Sequence, residues 1–224
     1  MKISILTICP EMFESLPADH VIMRAQELKQ LQLEIVDIRQ FANGCFRKVD
    51  DSPYGGGPGM IMRVQPVVDA IRSVEADHGK TIRVAFSPAG TVYNQKLAGT
   101  FSHADHLILV CGHYEGMDER IFHHVDMAVS MGDYVMSGGE IAAMAVTDSV
   151  ARLLRGVLKD GSLMEESFSD GLLEYPQYTK PVDYCGEKVP DVLLSGNHEA
   201  IRQWRREQAL ERTRRTRPDL MSDT

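Results

Sequence analysis

Three glycine-containing segments hold the residues best suited to binding a small molecule, and each follows a predicted β-strand. They comprise residues 87–90, 111–116 and 132–140. In open α/β sheets, ligands bind beyond the carboxyl ends of the strands, where glycines let backbone N–H and C=O groups approach a ligand closely. One such segment alone is typical of a turn, whereas three together predict a single ligand site.

The sequence lacks the glycine patterns that bind nucleotide phosphates. The Walker pattern GxxxxGK followed by Ser or Thr does not occur in the sequence. The glycine run at residues 55–59 also departs from the dinucleotide-binding pattern GxGxxG, because Met60 occupies the sixth place. That run also follows the polar residues 50–54 rather than a strand. These features exclude a Walker-type phosphate site and argue against a Rossmann oxidoreductase.

The segment at residues 47–60 has an unusual composition for a connecting loop. It combines the cations Arg47 and Lys48, two adjacent carboxylates, Tyr54 and a dense glycine run. Glycines at this density cost backbone entropy on folding. A surface loop that closes over a substrate explains the composition, and a plain connector is the alternative.

A second polar segment, residues 165–170, begins with two glutamates side by side. When adjacent carboxylates are partly buried, their repulsion favours proton uptake by one of them. Such a group suits general base catalysis, so one glutamate of this pair is a candidate general base. An acidic linker that is simply solvated is the alternative.

Positive charge is concentrated near the carboxyl terminus. Residues 201–217 carry a local charge of +5, although the formal net charge of the whole chain is −8. This segregation argues against a generally cationic coat and favours a local contact with phosphate; a solvated helix face is the alternative. The arginines are Arg202, Arg205, Arg206, Arg212, Arg214, Arg215 and Arg217.

Composition and cysteine spacing narrow the class of protein further. The 224 residues are 43% hydrophobic and 25% charged, as expected for a globular chain with a core. The four cysteines include no CxxC pair and the histidines show no metal-ligand spacing, so the sequence predicts no zinc or dithiol site. No apolar stretch approaches the roughly 20 residues of a membrane helix. A reducing, cytoplasmic location is the default expectation.

Hydrophobic patterning predicts an α/β domain with a mostly parallel sheet, because strands alternate with helices along the chain. The predicted strands are residues 2–8, 34–38, 81–86, 107–111 and 128–131. The predicted helices are residues 18–30, 65–76, 94–100, 115–124 and 140–154.

The pattern changes after Gly156, which predicts a division of the chain. We expect a first domain at residues 1–158, a linker at 159–174 and a small helical domain at 175–224. The last contains a predicted helix at residues 198–215, with Asn197 as its N-cap.

Several sequence blocks resemble, in order, those of the TrmD-type tRNA (guanine-N1)-methyltransferases. The resemblance extends from residues 10–13 to residues 217–220, beyond which chains of that family usually continue. The blocks that carry it are residues 49–60, 109–120, 132–140, 167–174 and 192–198.

The resemblance implies a SPOUT-type fold with a carboxyl-terminal trefoil knot, an exception to the rule that chains are unknotted. It also implies a homodimer whose subunits share active sites, a small and here shortened tRNA-binding domain, and magnesium as an activator. The three glycine-containing segments become the loops that bind S-adenosylmethionine. The implied cofactor-binding residues are Phe86, Ser87, Pro88, Gly112, Tyr114, Glu115, Gly116, Met131, Gly132, Tyr134, Met136, Gly138 and Gly139.

The implied reaction is methylation of N1 of the guanosine at tRNA position 37, just 3′ of the anticodon. Because N1 of neutral guanine carries a proton, a base must remove it while a cation supports charge on O6. The resemblance assigns these roles to Glu166, where well-known members have aspartate, and to Arg152. At residue 113, His stands where some members have arginine. The implied substrate-binding residues are Arg47, Asp50, Tyr54, Gly57, Glu174, Ser195 and His198.

Two other functions remain open at this stage. The first is a related methyltransferase acting on ribose or on another base, against which the block at residues 50–60 argues. The second is a tRNA-binding protein without catalysis, which requires a defective cofactor site although all three loops look intact.

Overall fold

The structure, a computed structural model, describes residues 1–75, 79–159, 161 and 166–221. The chain divides into two compact units, Met1–Leu158 and Lys159–Thr224. Three predicted features lie outside the described residues: the end of the second helix at Ala76, Glu165 of the acidic pair, and residues 222–224. None of the described helices combines the length and apolar character needed to cross a bilayer.

In the described residues of the first unit, a main sheet of five strands packs against four α-helices. A two-stranded hairpin of β3 and β4 stands apart from the main sheet. The strands are β1 (Lys2–Thr7), β2 (Gln32–Asp37), β3 (Asp50–Asp51), β4 (Ile61–Met62), β5 (Thr81–Val92), β6 (His106–Val110) and β7 (Met127–Ser130). The helices are α1 (His20–Glu27), α2 (Val64–Val74), α3 (Gln95–Ser102) and α4 (Glu140–Ala151).

The main sheet has the strand order β2-β1-β6-β5-β7, and every pairing in it is parallel. This confirms the α/β fold with a parallel sheet. All residues of β6 are buried, as expected for a strand covered on both faces. One face packs against α1, α3 and α4 through residues such as Ile22, Phe101 and Val146. The other packs against α2 through residues such as Val67 and Ile71.

Local capping explains where several helices begin. The Asp19 carboxylate accepts hydrogen bonds from the backbone at the start of α1, and the Asn94 side chain does the same for α3. These side chains satisfy amide groups that have no partner within the helix.

Two predicted elements differ from the structure. The strand predicted to stop at Phe86 continues to Val92, so residues 87–90 lie within β5 and not in a loop beyond it. Its pairing with β7 breaks register between Phe86 and Thr91, because both face Val129; the extra residues form a bulge. The helix predicted at residues 115–124 is a 3-10 helix at Glu119–His124.

The second unit contains the hairpin β8 (Asp183–Tyr184) and β9 (Glu187–Lys188), followed by α5 (Asp191–Leu194) and α6 (His198–Thr216). The Asn197 side chain accepts a hydrogen bond from the Ala200 amide at 3.2 Å, which confirms the predicted N-cap. Buried residues of α6 are Ala209 and Thr213, and the Thr213 hydroxyl accepts a hydrogen bond from the Leu173 amide at 2.9 Å.

Candidate functional site

A pocket of about 310 Å³ opens at the carboxyl ends of β6 and β7. Its size lies at the lower end of the range of roughly 300–1,000 Å³ that is usual for small-molecule sites. The lining combines apolar side chains with backbone and polar groups from three parts of the first unit. The lining residues are drawn from residues 86–88 of β5, from residues 112–122 after β6, and from residues 129–142 between β7 and the first turn of α4.

The second and third lining segments touch through their backbones. The Gly139 amide donates a hydrogen bond to the Gly112 carbonyl at 2.8 Å, and His113 forms a β-bridge with Gly138. A Cβ atom at Gly139 would lie 2.9 Å from Cys111 Cα and 3.1 Å from the Gly112 nitrogen. Glycine is therefore needed here because two backbones meet, and the contact fixes one wall of the pocket.

The bulge in β5 is held by a similar contact. A Cβ atom at Gly90 would lie 2.4 Å from the Val129 nitrogen and 2.5 Å from the Ala128 carbonyl carbon. This close approach to β7 lets the strand bulge while Ser87 and Pro88 reach the pocket. The first segment is thus positioned by sheet pairing rather than by a loop.

Beside the pocket, a buried carboxylate connects the sheet to α4. Glu140, the first residue of α4, is 2% exposed. Its Oε1 accepts a 2.8 Å hydrogen bond from the Thr7 hydroxyl, and its Oε2 lies 3.6 Å from His113 Nδ1. The Thr7 hydroxyl also accepts a bond from the Cys9 amide at 2.8 Å. Glu140 therefore links the end of β1 to the second lining segment.

The β3–β4 hairpin, with its glycine run, is anchored to that same segment. The Met62 amide donates to the Gly116 carbonyl at 2.9 Å, and the Glu115 amide donates to the Met60 carbonyl at 3.0 Å. At Gly59, a Cβ atom would lie 2.4 Å from the Glu115 side chain. The base of the hairpin therefore lies against the pocket.

Two tyrosines illustrate the gradient of exposure from the pocket to the tip of the hairpin. Tyr114 lines the pocket, where burial, with a smaller effect from the Asp50 carboxylate, raises the pKa of its phenol. Tyr54, at the tip, is fully exposed. The tip thus offers a fully exposed aromatic surface to solvent, whereas Tyr114 is 42% exposed.

The predicted cofactor-binding residues come together in this pocket with one exception. Gly132 does not line it. Its amide donates a hydrogen bond to the Ser130 hydroxyl at 3.2 Å, within the turn that precedes Tyr134, which does line the pocket. The lining also includes residues that sequence reasoning missed: His113, Met117, Glu119, Phe122, Val129, Ser130, Val135, Ser137 and Ala142.

Most of the missed residues are sequence neighbours of predicted ones, so extending each segment by one or two residues would have found them. Phe122 is different, because it lies in the 3-10 helix. A helix predicted across residues 115–124 gave no reason to place its ring at the pocket.

The remaining predicted residues are distributed over both units. In the first unit, Arg152 is the C-cap of α4, and Asp50 lies in β3. Arg47 is exposed and has φ +46°, and Gly57 is exposed with φ +134°. These four residues do not line the pocket described above.

In the second unit, Glu166 is partly buried and its carbonyl accepts a 3.2 Å hydrogen bond from the Ser169 amide. The Glu174 carbonyl accepts a bond from the Arg212 side chain at 3.3 Å. Ser195 and His198 are exposed on either side of the N-cap of α6.

The arginines of the second unit are mostly exposed. Arg202 pairs with Glu199, and Arg217 pairs with Asp219 at 2.7 Å. Among the residues that the structure describes, no ion pair is formed by Arg206, Arg214 or Arg215. These three exposed cations are therefore available to an anionic partner.

A parallel α/β unit with a pocket of glycine-containing segments at the strand ends defines a small-molecule-binding domain of the kind found in nucleotide- and cofactor-dependent enzymes. Comparison with known proteins makes the class specific. The profile of the family described as tRNA (Guanine-1)-methyltransferase TrmD matches residues 1–223. The chain belongs to this family.

Individual relatives agree with the family match over nearly the whole chain, and each is named tRNA (guanine-N(1)-)-methyltransferase. One from Clostridium botulinum (strain Eklund 17B / Type B) is 53% identical, covering 98% of this chain and 92% of the relative. One from Listeria monocytogenes is 49% identical, covering 100% and 93%. One from Dictyoglomus turgidum is 49% identical, covering 100% and 91%.

Proposed function

We propose that this protein transfers the methyl group of S-adenosylmethionine to N1 of the guanosine just 3′ of the anticodon, at position 37 of tRNA. Family membership and the names of the relatives support a guanine-N1 methyltransferase acting on tRNA. The observation that carries the proposal is the pocket, because it assembles nearly all of the residues assigned to the cofactor from distant parts of the sequence.

The residues of the pocket suit S-adenosylmethionine. Phe86, Met131 and Ala142 offer apolar surface for an adenine ring, and Glu115 offers a carboxylate for the cationic amino group. Backbone groups of the closely packed glycine segments provide hydrogen bonds without side chains in the way. When bound, the cofactor supplies an electrophilic methyl group.

The hairpin supports a tRNA substrate at this pocket. Its base is hydrogen-bonded to the second lining segment, and its tip presents Tyr54 beside an exposed glycine run. An aromatic ring exposed in this way can stack on an unpaired base, the usual mode of single-stranded RNA recognition. Arg206, Arg214 and Arg215 of α6 add cations that can neutralise phosphates.

In the proposed mechanism, Glu166 removes the proton from guanine N1 and Arg152 stabilises negative charge developing on O6. Removing the proton converts a poor nucleophile into a good one, and a fixed cation lowers the energy of the charged transition state. We extend the proposal to the trefoil knot, to a homodimer with shared active sites, and to a tRNA-binding role for residues 175–224. The cytoplasm is the compartment that such a substrate implies.

Magnesium, implied as an activator, is not assigned a ligand set. Within the described residues, one group of three side chains could hold a metal ion: Cys9, His113 and Glu140. Thiolate and imidazole are ligands that magnesium disfavours, since it prefers oxygen. This group therefore does not suit magnesium, and no step is assigned to that ion.

The substrate is tested with labelled S-adenosylmethionine and two transcripts of one tRNA that carry G or A just 3′ of the anticodon. We expect label on the G transcript alone, mapping to N1. Label on ribose or on another base would point to a different methyltransferase. Cofactor binding with no label on either transcript would point to a tRNA-binding protein without catalysis.

The catalytic base is tested with Glu166→Gln, which keeps the size of the side chain and removes its basicity. We expect kcat to fall by on the order of 100-fold or more, as general base catalysis predicts, with unchanged cofactor binding by calorimetry. Asp170→Asn is the matched control, because it removes an exposed carboxylate from the same segment and should leave kcat unchanged. Near-normal turnover by Glu166→Gln would reject the assignment.

A further inference from the structure

Cys9, His113 and Glu140 come from three distant parts of the sequence and meet beside the pocket. Their ligand atoms all lie within 4.8 Å of one another. Cys9 follows β1 and His113 follows β6, and these strands are adjacent and parallel, so their carboxyl ends bring the two side chains together. Glu140 reaches them from the first turn of α4. We propose that these three residues form a binding site for a zinc-type divalent cation, separate from the methyl-transfer chemistry.

The donor set matches that cation. Zinc is bound in proteins by Cys sulfur, His nitrogen and carboxylate oxygen, usually in tetrahedral geometry at about 2.0–2.3 Å. Two nitrogen or oxygen ligands of one such ion lie roughly 3.4 Å apart. His113 Nδ1 and Glu140 Oε2 are 3.6 Å apart, which is too long for a hydrogen bond but suits two ligands of a shared ion.

The hydrogen bonds made by His113 and Glu140 leave His113 Nδ1 and Glu140 Oε2 oriented to bind a metal ion. His113 Nδ1 is buried and has no hydrogen-bond partner among the described residues. A buried polar atom without a partner is costly, and a bound ion would satisfy it. The Thr7 hydroxyl holds Oε1 of Glu140, which turns Oε2 towards His113. Such outer contacts commonly orient metal ligands.

Charge balance also favours a divalent ion. A carboxylate that is 2% exposed needs a compensating cation when it is ionised. Within the described residues, no Lys or Arg pairs with Glu140; its partner within 4.0 Å is His113. A thiolate, a carboxylate, a neutral imidazole and a divalent cation together carry no net charge.

Cysteine binds a metal ion through its thiolate form. Metal binding would therefore release the thiol proton of Cys9 to solvent as its sulfur becomes a ligand. Of the three proposed ligands, His113 also lines the pocket.

Cobalt is a suitable probe, because it occupies zinc sites and has visible absorption together with a thiolate charge-transfer band. The full-length protein, stripped by a chelator, is titrated with Co²⁺ without cofactor or tRNA. We expect one equivalent to bind with tetrahedral visible bands and the charge-transfer band, and Zn²⁺ to displace it. The absence of this spectrum would overturn the proposal, whatever the outcome of the methyl-transfer assay.

Variants identify the ligands. Cys9→Ser should abolish the charge-transfer band, whereas Cys45→Ser and Cys185→Ser, at exposed cysteines, should retain it. Thr7→Val keeps all three ligands and should weaken Co²⁺ binding by about 10- to 100-fold, the usual effect of losing an outer contact. A band that survives in Cys9→Ser, or disappears in either control, would place the cobalt elsewhere and refute the site.

Discussion

Two glycine-rich regions of this protein use the same residue for different physical reasons. Around the pocket, Gly90 and Gly139 are needed because a Cβ atom would collide with backbone. In the hairpin, Gly55 and Gly56 have φ values of +86° and +80°, with nothing within 4 Å of a Cβ atom. In the first region glycine is required by packing between segments, and in the second by the local backbone conformation.

The difference indicates what each region is built to do. Packed backbones hold the pocket walls in fixed positions, as a site that binds one small molecule requires. Open glycines with left-handed conformations form a turn that can adjust to a larger partner. Substitutions to alanine test this contrast, because alanine adds the single Cβ atom on which both explanations depend.

The largest effect is expected for Gly139→Ala. The new methyl group must displace the backbone at Cys111 or Gly112, and overpacking of this kind typically costs about 1–3 kcal/mol of unfolding free energy. Because the displaced segment lines the pocket, cofactor affinity should also fall, by on the order of tenfold. Urea unfolding and calorimetry measure the two quantities.

Gly99→Ala is the control for Gly139→Ala. Gly99 lies in α3 with nothing within 4 Å of a Cβ atom, so alanine should stabilise the protein by about 0.5–1 kcal/mol. If Gly139→Ala were as stable as this control and bound cofactor normally, the packing explanation would be wrong.

A smaller effect is expected for Gly56→Ala in the hairpin. Alanine is strained at φ +80°, by roughly 1–2 kcal/mol if the turn keeps its shape, but an exposed turn can relax. Global unfolding and cofactor binding should therefore change little, whereas methyl transfer to tRNA should fall by several-fold. A parallel loss of cofactor affinity would show that the two regions are not independent.

The smallest effect is expected at His106, the first residue of β6, at the end of that strand opposite to the pocket. Burial, and to a lesser extent Lys2, lowers the pKa of His106, whose Nε2 lies 2.9 Å from the Ser4 hydroxyl. The unfolded chain thus takes up this proton more readily than the folded protein. The stability that His106 contributes is present above about pH 6.5 and is lost as the pH falls towards its folded pKa.

Urea unfolding at about pH 7.5 and about pH 5.5 measures this contribution. The wild-type protein should lose more stability on acidification than His106→Gln, which lacks the titrating group. Equal losses in the two proteins would assign the acid sensitivity to other residues. The pocket glycines should be unaffected, because they lie at the far end of β6.

Much of the secondary structure could be predicted because its signals are local. Apolar strands alternate with helices, and Asn197 stands directly before its helix, so these elements follow from neighbouring residues. The end of β5 at Val92 could not be predicted, because Pro88 and Gly90 are typical of a turn. They stay in the strand because β7 lies close enough to hold the bulge, a contact between segments far apart in sequence.

The candidate site shows the same limit. Its loops could be recognised from glycine content and family resemblance, which identified more than half of the lining residues. The meeting of Cys9, His113 and Glu140 could not be predicted, because no spacing rule joins one side chain from each of three segments. Gly132 was predicted to bind cofactor from its position in the motif; it lies in the turn before Tyr134 and is not among the lining residues, and its role stays a prediction.

The parallel sheet has a consequence for biosynthesis. Ile3 of β1 pairs with Leu107 of β6, so the partner of the first strand is translated about 100 residues later. At about 5–20 residues per second, this delay is on the order of 10 s. During that time β1 can pair along one edge, with β2, while the edge that will receive β6 is open. We therefore expect the nascent chain to be a substrate for ribosome-associated chaperones until β6 emerges.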